Sequence, residues 1–493
     1  MKYFQLLVIT QLFIGFGLKA QEANKILTLE QVLVLAKEQS PDAMLAKHRY
    51  LSSFWEFKTY QAGLLPQLNL QSELVNWNKS IITYTNSDGS VQYTQTNNVT
   101  TEIGMSLRQN IGFSGGNIFV QTGANAIQDF TSDTLSRLFR TVPVAIGFSQ
   151  PIFQYNPYKW QKKIEPLKYD EAKREYILSM EEISSNAINY FYNLALAQLN
   201  LEISKANYYN NDTIFKIAQG RYNIGTIAEN EVLQIELAFL NAKTAWGQAK
   251  INLEISKFRL RSFLGFNDLV RIELVIPKEL PLIEVDVNKA LLKAKENNVA
   301  PLSWERQLYE AQSEVSRTKA EKRFNANLSA KYGLNGDAVL IQNSYSNPDD
   351  QLAFSVGIDI PILDWGKGKG KYRMAQSQQE VVKTQVEQAR IDFEQRVLLQ
   401  VMQFNEQDDQ VNIAAKADTI ARKRYEVTKQ RFLIGKIDIL DLNVASQEND
   451  LAQRSYLEAQ KTYWSYFYGI RQYTLYDFVN DKPLETDFEE LEQ

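Results

Sequence analysis

The chain is a tandem duplication, and a duplication constrains the architecture before any single element is assigned. Leu29 to Glu38 correspond to Val287 to Glu296, and the same offset carries Pro66-Gln67-Leu68-Asn69-Leu70 onto Phe324-Asn325-Ala326-Asn327-Leu328. After an insertion in the first half, a second constant offset maps Gln150-Pro151-Ile152-Phe153 onto Ile360-Pro361-Ile362-Leu363. It continues to Arg221-Tyr222-Asn223-Ile224-Gly225, which falls on Arg431-Phe432-Leu433-Ile434-Gly435, and to Glu231-Val232 on Asp441-Leu442. Chance likeness of coiled coils would not keep strand, proline and glycine signals in register as well. Each half therefore runs helix, strand pair, very long helix, glycine-marked turn, returning helix.

Between Pro166 and Tyr222 there is no further proline, and Ile177, Met180, Ile183, Ala187, Phe191 and Leu194 recur at helical spacing. One helix is expected over 157–222, with Pro166 either kinking it or marking its first turn. Its counterpart, 367–432, has no proline at all, and roughly 65 residues at about 1.5 Å each extend on the order of 100 Å. That exceeds a globular domain. Tips are expected at 223–231 and 433–441, each followed by a return helix.

Strands are expected at 67–76, 101–112, 117–127 and 142–150 in the first repeat (21–265), and at 324–334 and 352–360 in the second (288–479). Leu352, Phe354, Val356, Ile358 and Ile360 alternate with small or polar residues, as do Val142, Val144, Ile146 and Phe148. Four strands are duplicated; the insertion adds a hairpin turning at Ser114-Gly115-Gly116, so the count is four or six. Asp88-Gly89 signals a further hairpin in an external loop. Long polar loops at 75–98 and 334–351, with short turns at the other end, match the asymmetry of outer-membrane barrels. So few strands and helices close neither a barrel nor a tunnel, so copies of the chain must complete the ring.

Residues 1–20, with Lys2 before an apolar run from Phe4 to Leu18 and a small residue at Ala20, read as a secretory signal peptide. The apolar run is shorter than the roughly 20 residues that span a bilayer, and no later segment repeats it. Residues 266–287, with Pro277 and Pro281, join the repeats; 480–493 form an acidic tail read as peripheral.

Composition removes several function classes. A net charge of -4 from 54 basic and 58 acidic residues leaves no basic footprint for nucleic acid. With no cysteine and one histidine, His48, there is no thiolate site, disulfide or two-histidine chemistry, and His48 lies among charges in a helical stretch. Glu181-Glu182 and Glu489-Glu490 are neighbours in sequence, not a converging acid pair, and read as a solvated face and tail. Gly366-Lys367-Gly368-Lys369-Gly370 lacks phosphate-loop spacing. No enzyme activity and no cofactor or metal are expected.

The order of elements, the two Pro-Ile turns at 151 and 361, and the two Arg-aromatic-x-Ile-Gly tips with Glu231 and Asp441 resemble the TolC-type outer membrane efflux family over nearly the whole mature chain. The resemblance implies a mixed α+β membrane protein: a homotrimeric β-barrel in outer-membrane lipid, continued by a long α-helical periplasmic tunnel that tapers to a closed end. Pro151 and Pro361 would mark the strand-to-helix turns. The tips, with Arg221, Gly225, Arg431 and Gly435, would meet a periplasmic adaptor (membrane fusion) protein of an inner-membrane transporter. Glu231 and Asp441 would narrow and gate the entrance. Val444 stands where the archetype carries a second acid, with Asp438 as a candidate substitute. The function implied is a passive exit duct of a tripartite efflux or type I secretion system. The competing reading is a periplasmic coiled-coil scaffold or adaptor without a pore.

Overall fold

Thr28 opens the first helix. Its hydroxyl accepts from the Gln31 amide while the Gln31 side chain accepts from the Thr28 amide, a reciprocal cap. The computed structural model describes residues 24–131, 136–266, 271–277, 280–281, 283–434, 436–437 and 439–492; the expected signal peptide lies outside them. From Thr28 the first repeat runs β1 (Asn24–Thr28), α1 (Leu29–Gln39), α2 (Pro41–Gly63), β2 (Gln67–Thr85), β3 (Val91–Ile111), β4 (Gly116–Asp129), β5 (Ser136–Ile152), α3 (Pro157–Asn223) and α4 (Glu229–Phe263). After β6 (Arg271–Val275) the second repeat runs α5 (Val287–Asn297), α6 (Val299–Glu321), β7 (Asn325–Ala338), β8 (Asp349–Asp359), α7 (Lys367–Asn405), α8 (Gln407–Leu433) and α9 (Ile439–Thr474).

The duplication holds to the residue at the start of each repeat. Helices α1 and α5 both have 11 residues, α2 and α6 both 23, and each pair is broken at one residue, Ser40 or Asn298, whose side chain caps the next helix.

Two compact units divide the chain. Residues 49–176, 298–395 and 487 onward form the first, and it carries the sheet. Its six strands pair antiparallel throughout in the order β2-β3-β4-β5-β7-β8, so the inserted hairpin β3–β4 lies inside the sheet between duplicated strands. Strands β2 and β3 run well beyond the expected 67–76 and 101–112. The turn at Asp88-Gly89 is the end of that same pair. Val142 was expected on the apolar face, yet pairing sets it opposite Gly123, on the face of Gln121 and Ala145. The cause is a bulge between Thr141 and Val144 at Pro143, which has no N–H to give the ladder.

In this unit the end of the acidic tail, none of whose described residues is buried, is tied to α2 and α3. A last helix, α10 (Phe488–Leu491), places Phe488 against Tyr50 at 5.0 Å, and Glu492 accepts hydrogen bonds from Tyr50 (2.6 Å) and Tyr169 (2.9 Å). Burial, and then the Glu492 hydrogen bond, push the Tyr50 hydroxyl well above its ordinary pKa.

The other unit comprises residues up to 48, 177–297 and 396–486. Its core is the buried stripe of α3 (Ile183, Ala187, Ile188, Phe191, Leu194) together with Val397, Val401 and Phe404 of α7 and Tyr463, Phe467 and Ile470 of α9. Strands β1 and β6 pair in parallel, so the joining segment contributes a strand. Helix α3 is continuous over 67 residues with Pro166 inside it. Where one helix was expected over 367–432, there are two, α7 and α8, parted at Glu406. The Asn405 side chain is drawn off by the backbone of Val285, donating to its carbonyl (3.0 Å) and accepting from its amide (3.1 Å). The flanking helical bonds, Glu406 to Met402 and Gln410 to Glu406, are stretched to 3.3 Å.

Candidate channel wall and tips

In an antiparallel ladder, directly paired residues share a face. One row crosses all six strands as Leu68, Leu107, Val120, Ile146, Tyr332 and Leu352, and every member is exposed, from Val120 at 36% to Leu352 at 72%. The adjacent row on the other face reads Asn69, Ser106, Gln121, Ala145, Gly333 and Gln351. The sheet is thus apolar on one side and small or polar on the other. Along this row the apolar side has no protein cover among the described residues, and a contiguous exposed band of this kind is unstable in water. Its outermost strands, β2 and β8, leave unpaired backbone edges along residues exposed over nearly their whole length. A lipid surface and strands from further copies satisfy both demands.

At the helix-side ends of the strands stand exposed Phe113, Phe153 and Trp365, aromatics placed where membrane barrels carry an aromatic girdle. Pro151 is the penultimate residue of β5, six residues before α3 begins, and Pro361 lies between β8 and α7. Phe153 and Trp365 take positive φ of 64° and 55° in these turns. The glycine run after Trp365, which lacks phosphate-loop spacing, closes instead on Asp364. Its carboxylate accepts from the amides of Gly366 and Gly368, both at 2.8 Å, and those two bonds hold its pKa below the ordinary carboxylate value.

The tip of the first repeat is a helix stop built on backbone. Gly225 has φ +75°, its amide donates to the Tyr222 carbonyl (2.8 Å), and the Thr226 amide donates to the Arg221 carbonyl (2.9 Å). This is a Schellman closure, and the left-handed residue it needs is cheapest as glycine. In the second repeat the Lys436 amide donates to the Arg431 carbonyl at 3.0 Å, the equivalent bond. Gly435 and Asp438 lie outside the described residues. Glu231 and Asp441 are both exposed in the first turns of α4 and α9, where a carboxylate meets the positive end of the helix dipole. Among the described residues the tips hold no buried acid pair.

Two polar centres, one buried and one half-buried, escaped the sequence reading. Glu181, read as part of a solvated face, is 3% exposed and is a correction: it accepts from Lys37 Nζ (2.8 Å) and from Arg471 Nε (2.6 Å). Arg471 also pairs with Asp477 at 3.0 Å. Burial raises the Glu181 pKa, but the Arg471 hydrogen bond and the Lys37 and Arg471 charges outweigh it, leaving the carboxyl below its ordinary value. Further along the same two helices, Asn207 of α3 donates to Asp450 of α9 at 2.8 Å, beside buried Asn449. Here burial wins over that hydrogen bond and the charge of Arg454, and the Asp450 pKa is raised. Neither centre has a local signature, since each partner set comes from distant sequence.

A family model described as outer membrane efflux protein matches residues 121–266 and 291–473, one block in each repeat. The chain belongs to the outer membrane efflux protein family. No curated protein matches it by sequence. Among solved structures, the CmeC outer membrane channel of Campylobacter jejuni superposes with a TM-score of 0.67 at 16% identity, over 94% of this chain and 89% of that one. The outer membrane protein VceC of Vibrio cholerae gives 0.62 at 14% identity, over 91% and 95%. The open state of the Neisseria gonorrhoeae MtrE outer membrane channel gives 0.59 at 15%, over 90% and 88%. These likenesses show the fold: a barrel-type sheet continued by long helices. As a member of the efflux family the protein is an outer-membrane exit duct of an efflux system, with its sheet in the outer membrane and its helical part in the periplasm. The pore-free scaffold reading is not favoured.

Proposed function

We propose that three copies close edge to edge, β8 of one against β2 of the next, and that the resulting homotrimer conducts substrate passively for a tripartite efflux or type I secretion system. The observation that supports this best is the sheet itself, apolar on one face, polar on the other and open at both edges. An adaptor protein of an inner-membrane transporter would engage the helix stops at Arg221, Gly225, Arg431 and Gly435. Glu231 and Asp441, with Asp438, would ring the entrance, where carboxylates concentrate cations and retard anions. The duct needs no cofactor; energy comes from the pump.

Single-channel recording of the purified mature protein in planar bilayers, with mass photometry of the same sample, tests the proposal. The expected result is a trimer with small, steady conductance that rises, with lower cation preference, in Glu231→Gln/Asp441→Asn. A monomer or dimer that never conducts would overturn it.

A further inference from the structure

Resting on the threefold duct just proposed, we infer that its exit barrel has eighteen strands, six from each copy, and that its aperture admits a helical hairpin of a polypeptide substrate. The duplication alone supplies four strands per chain, β2, β5, β7 and β8, and three copies of those make twelve. The question is whether the inserted hairpin β3–β4 is wall or flap.

Three observations make it wall. The hairpin is hydrogen-bonded on both flanks, β3 to β2 and β4 to β5, over most of its length. It also obeys the two-faced rule of the duplicated strands: Met105, Leu107, Ile118 and Val120 lie on the exposed apolar side, while Ser106 and Gln121 continue the polar row. Finally, its helix-side turn is held by the chain on either side. Gln109 Nε2 donates to the Leu64 carbonyl at 2.7 Å, Gln150 Nε2 to the Ser114 carbonyl at 3.0 Å, and Asn156 Nδ2 to the Gly112 carbonyl at 3.0 Å. A flap lying on the sheet would hide one face and need no such anchors.

Strand number sets aperture. With strands about 4.8 Å apart and tilted about 40°, eighteen close a ring roughly 36 Å across at the backbone, against roughly 24 Å for twelve. Inward side chains take about 5 Å from each side, leaving roughly 25 Å or roughly 14 Å. A helix with its side chains is about 10–12 Å wide, so two abreast fit the first opening and only one fits the second.

The chain has no cysteine, so single cysteines can be read cleanly. A charged, membrane-impermeant thiol reagent is applied during single-channel recording to Ser106→Cys, Gln121→Cys, Leu107→Cys and Val120→Cys, with Ser355→Cys and Phe354→Cys on the polar and apolar faces of duplicated strand β8 as controls. Conductance is expected to step down at 106, 121 and 355 and to stay unchanged at 107, 120 and 354. A step at 355 with none at 106 and 121, or equal steps on both faces of the hairpin, would make it a flap and overturn the inference while the duct stands. No step at any position would remove the duct and the inference together. Polyethylene glycol added on the outer side alone gives the width: entry of polymers about 20 Å in diameter is expected for eighteen strands, and exclusion above about 14 Å overturns it.

Discussion

Helices α3 and α9 meet at two acids, Glu181 buried and Asp450 half-buried, and the two places behave oppositely. At Glu181 two cations converge on the carboxylate and a third charge, Asp477, backs Arg471. At Asp450 the direct partner is the neutral amide of Asn207, with Asn210 bonded to Tyr425 of α8 (3.1 Å) and Arg454 turned to Asn200 (2.7 Å) one turn on. The first contact keeps its charge fully compensated; the second holds a partly desolvated charge against amides that water replaces at little cost. Contrast is sharpened by the other side of α3, where Tyr208, Tyr209 and Phe215 stack on Phe239 and Trp246 of α4 within 6.0 Å. One helix is therefore bolted at Glu181, zipped by aromatics to its own repeat, and loosely held to the second repeat near the tip.

The strongest way to break this comparison is Arg471→Ala. It leaves Glu181 buried beside Lys37 alone, and the loss should be about 3–5 kcal/mol in denaturant unfolding of the detergent-solubilised protein. A loss below about 1 kcal/mol would place Glu181 among ordinary surface acids.

Acid separates the two acids by sign. The folded pKa of Glu181 is depressed, so its contribution is complete above the ordinary carboxylate range and is lost as pH falls through the folded value, below about 4. The folded pKa of Asp450 is raised, so its contact strengthens as pH falls through that value towards the ordinary range. Hydrogen exchange along α9 should show protection around 445–455 growing on mild acidification, while 465–474 holds until about pH 4 and then fails. Parallel pH profiles in both segments would contradict the assignment.

Gly225→Ala, forced into a left-handed conformation, should cost about 1–2 kcal/mol locally, read as faster exchange at the first tip, with no change near Glu181. Asp450→Asn keeps an acceptor for Asn207 and removes the desolvated charge. It should stabilise by about 0.5–1.5 kcal/mol at neutral pH and flatten the pH response of 445–455. Smallest of all, Glu231→Gln should move stability by less than about 0.5 kcal/mol, its effect being confined to conductance.

Much of this molecule was legible in its residues, and the illegible parts share a cause. The alternation in 352–360 announces β8 because one face meets an apolar medium, and period two records that directly. The tip at Gly225 is legible because a left-handed helix stop selects glycine locally. By contrast, nothing near Asn405 predicts the break at Glu406, which a backbone segment 120 residues away imposes. Glu181 and Glu182 look alike in the chain; Arg471, 290 residues on, decides which one is buried. Val142 left the expected face through one missing N–H at Pro143, a small local cause whose effect appears only once β4 and β7 are paired.

Sequence by itself determined what φ/ψ preference and periodicity encode: the duplication, the span of α3, the faces of β8 and the first tip. Tertiary structure alone decided that β3–β4 is inserted within the sheet between duplicated strands, that the acidic tail is tied down by Tyr50 and Tyr169, and that the pKa values of two acids on one helix pair are shifted in opposite directions. The reason is physical. Dihedral preference and face polarity belong to neighbours in the chain, whereas pairing order and the solvation of a charge belong to whatever residues folding brings beside it.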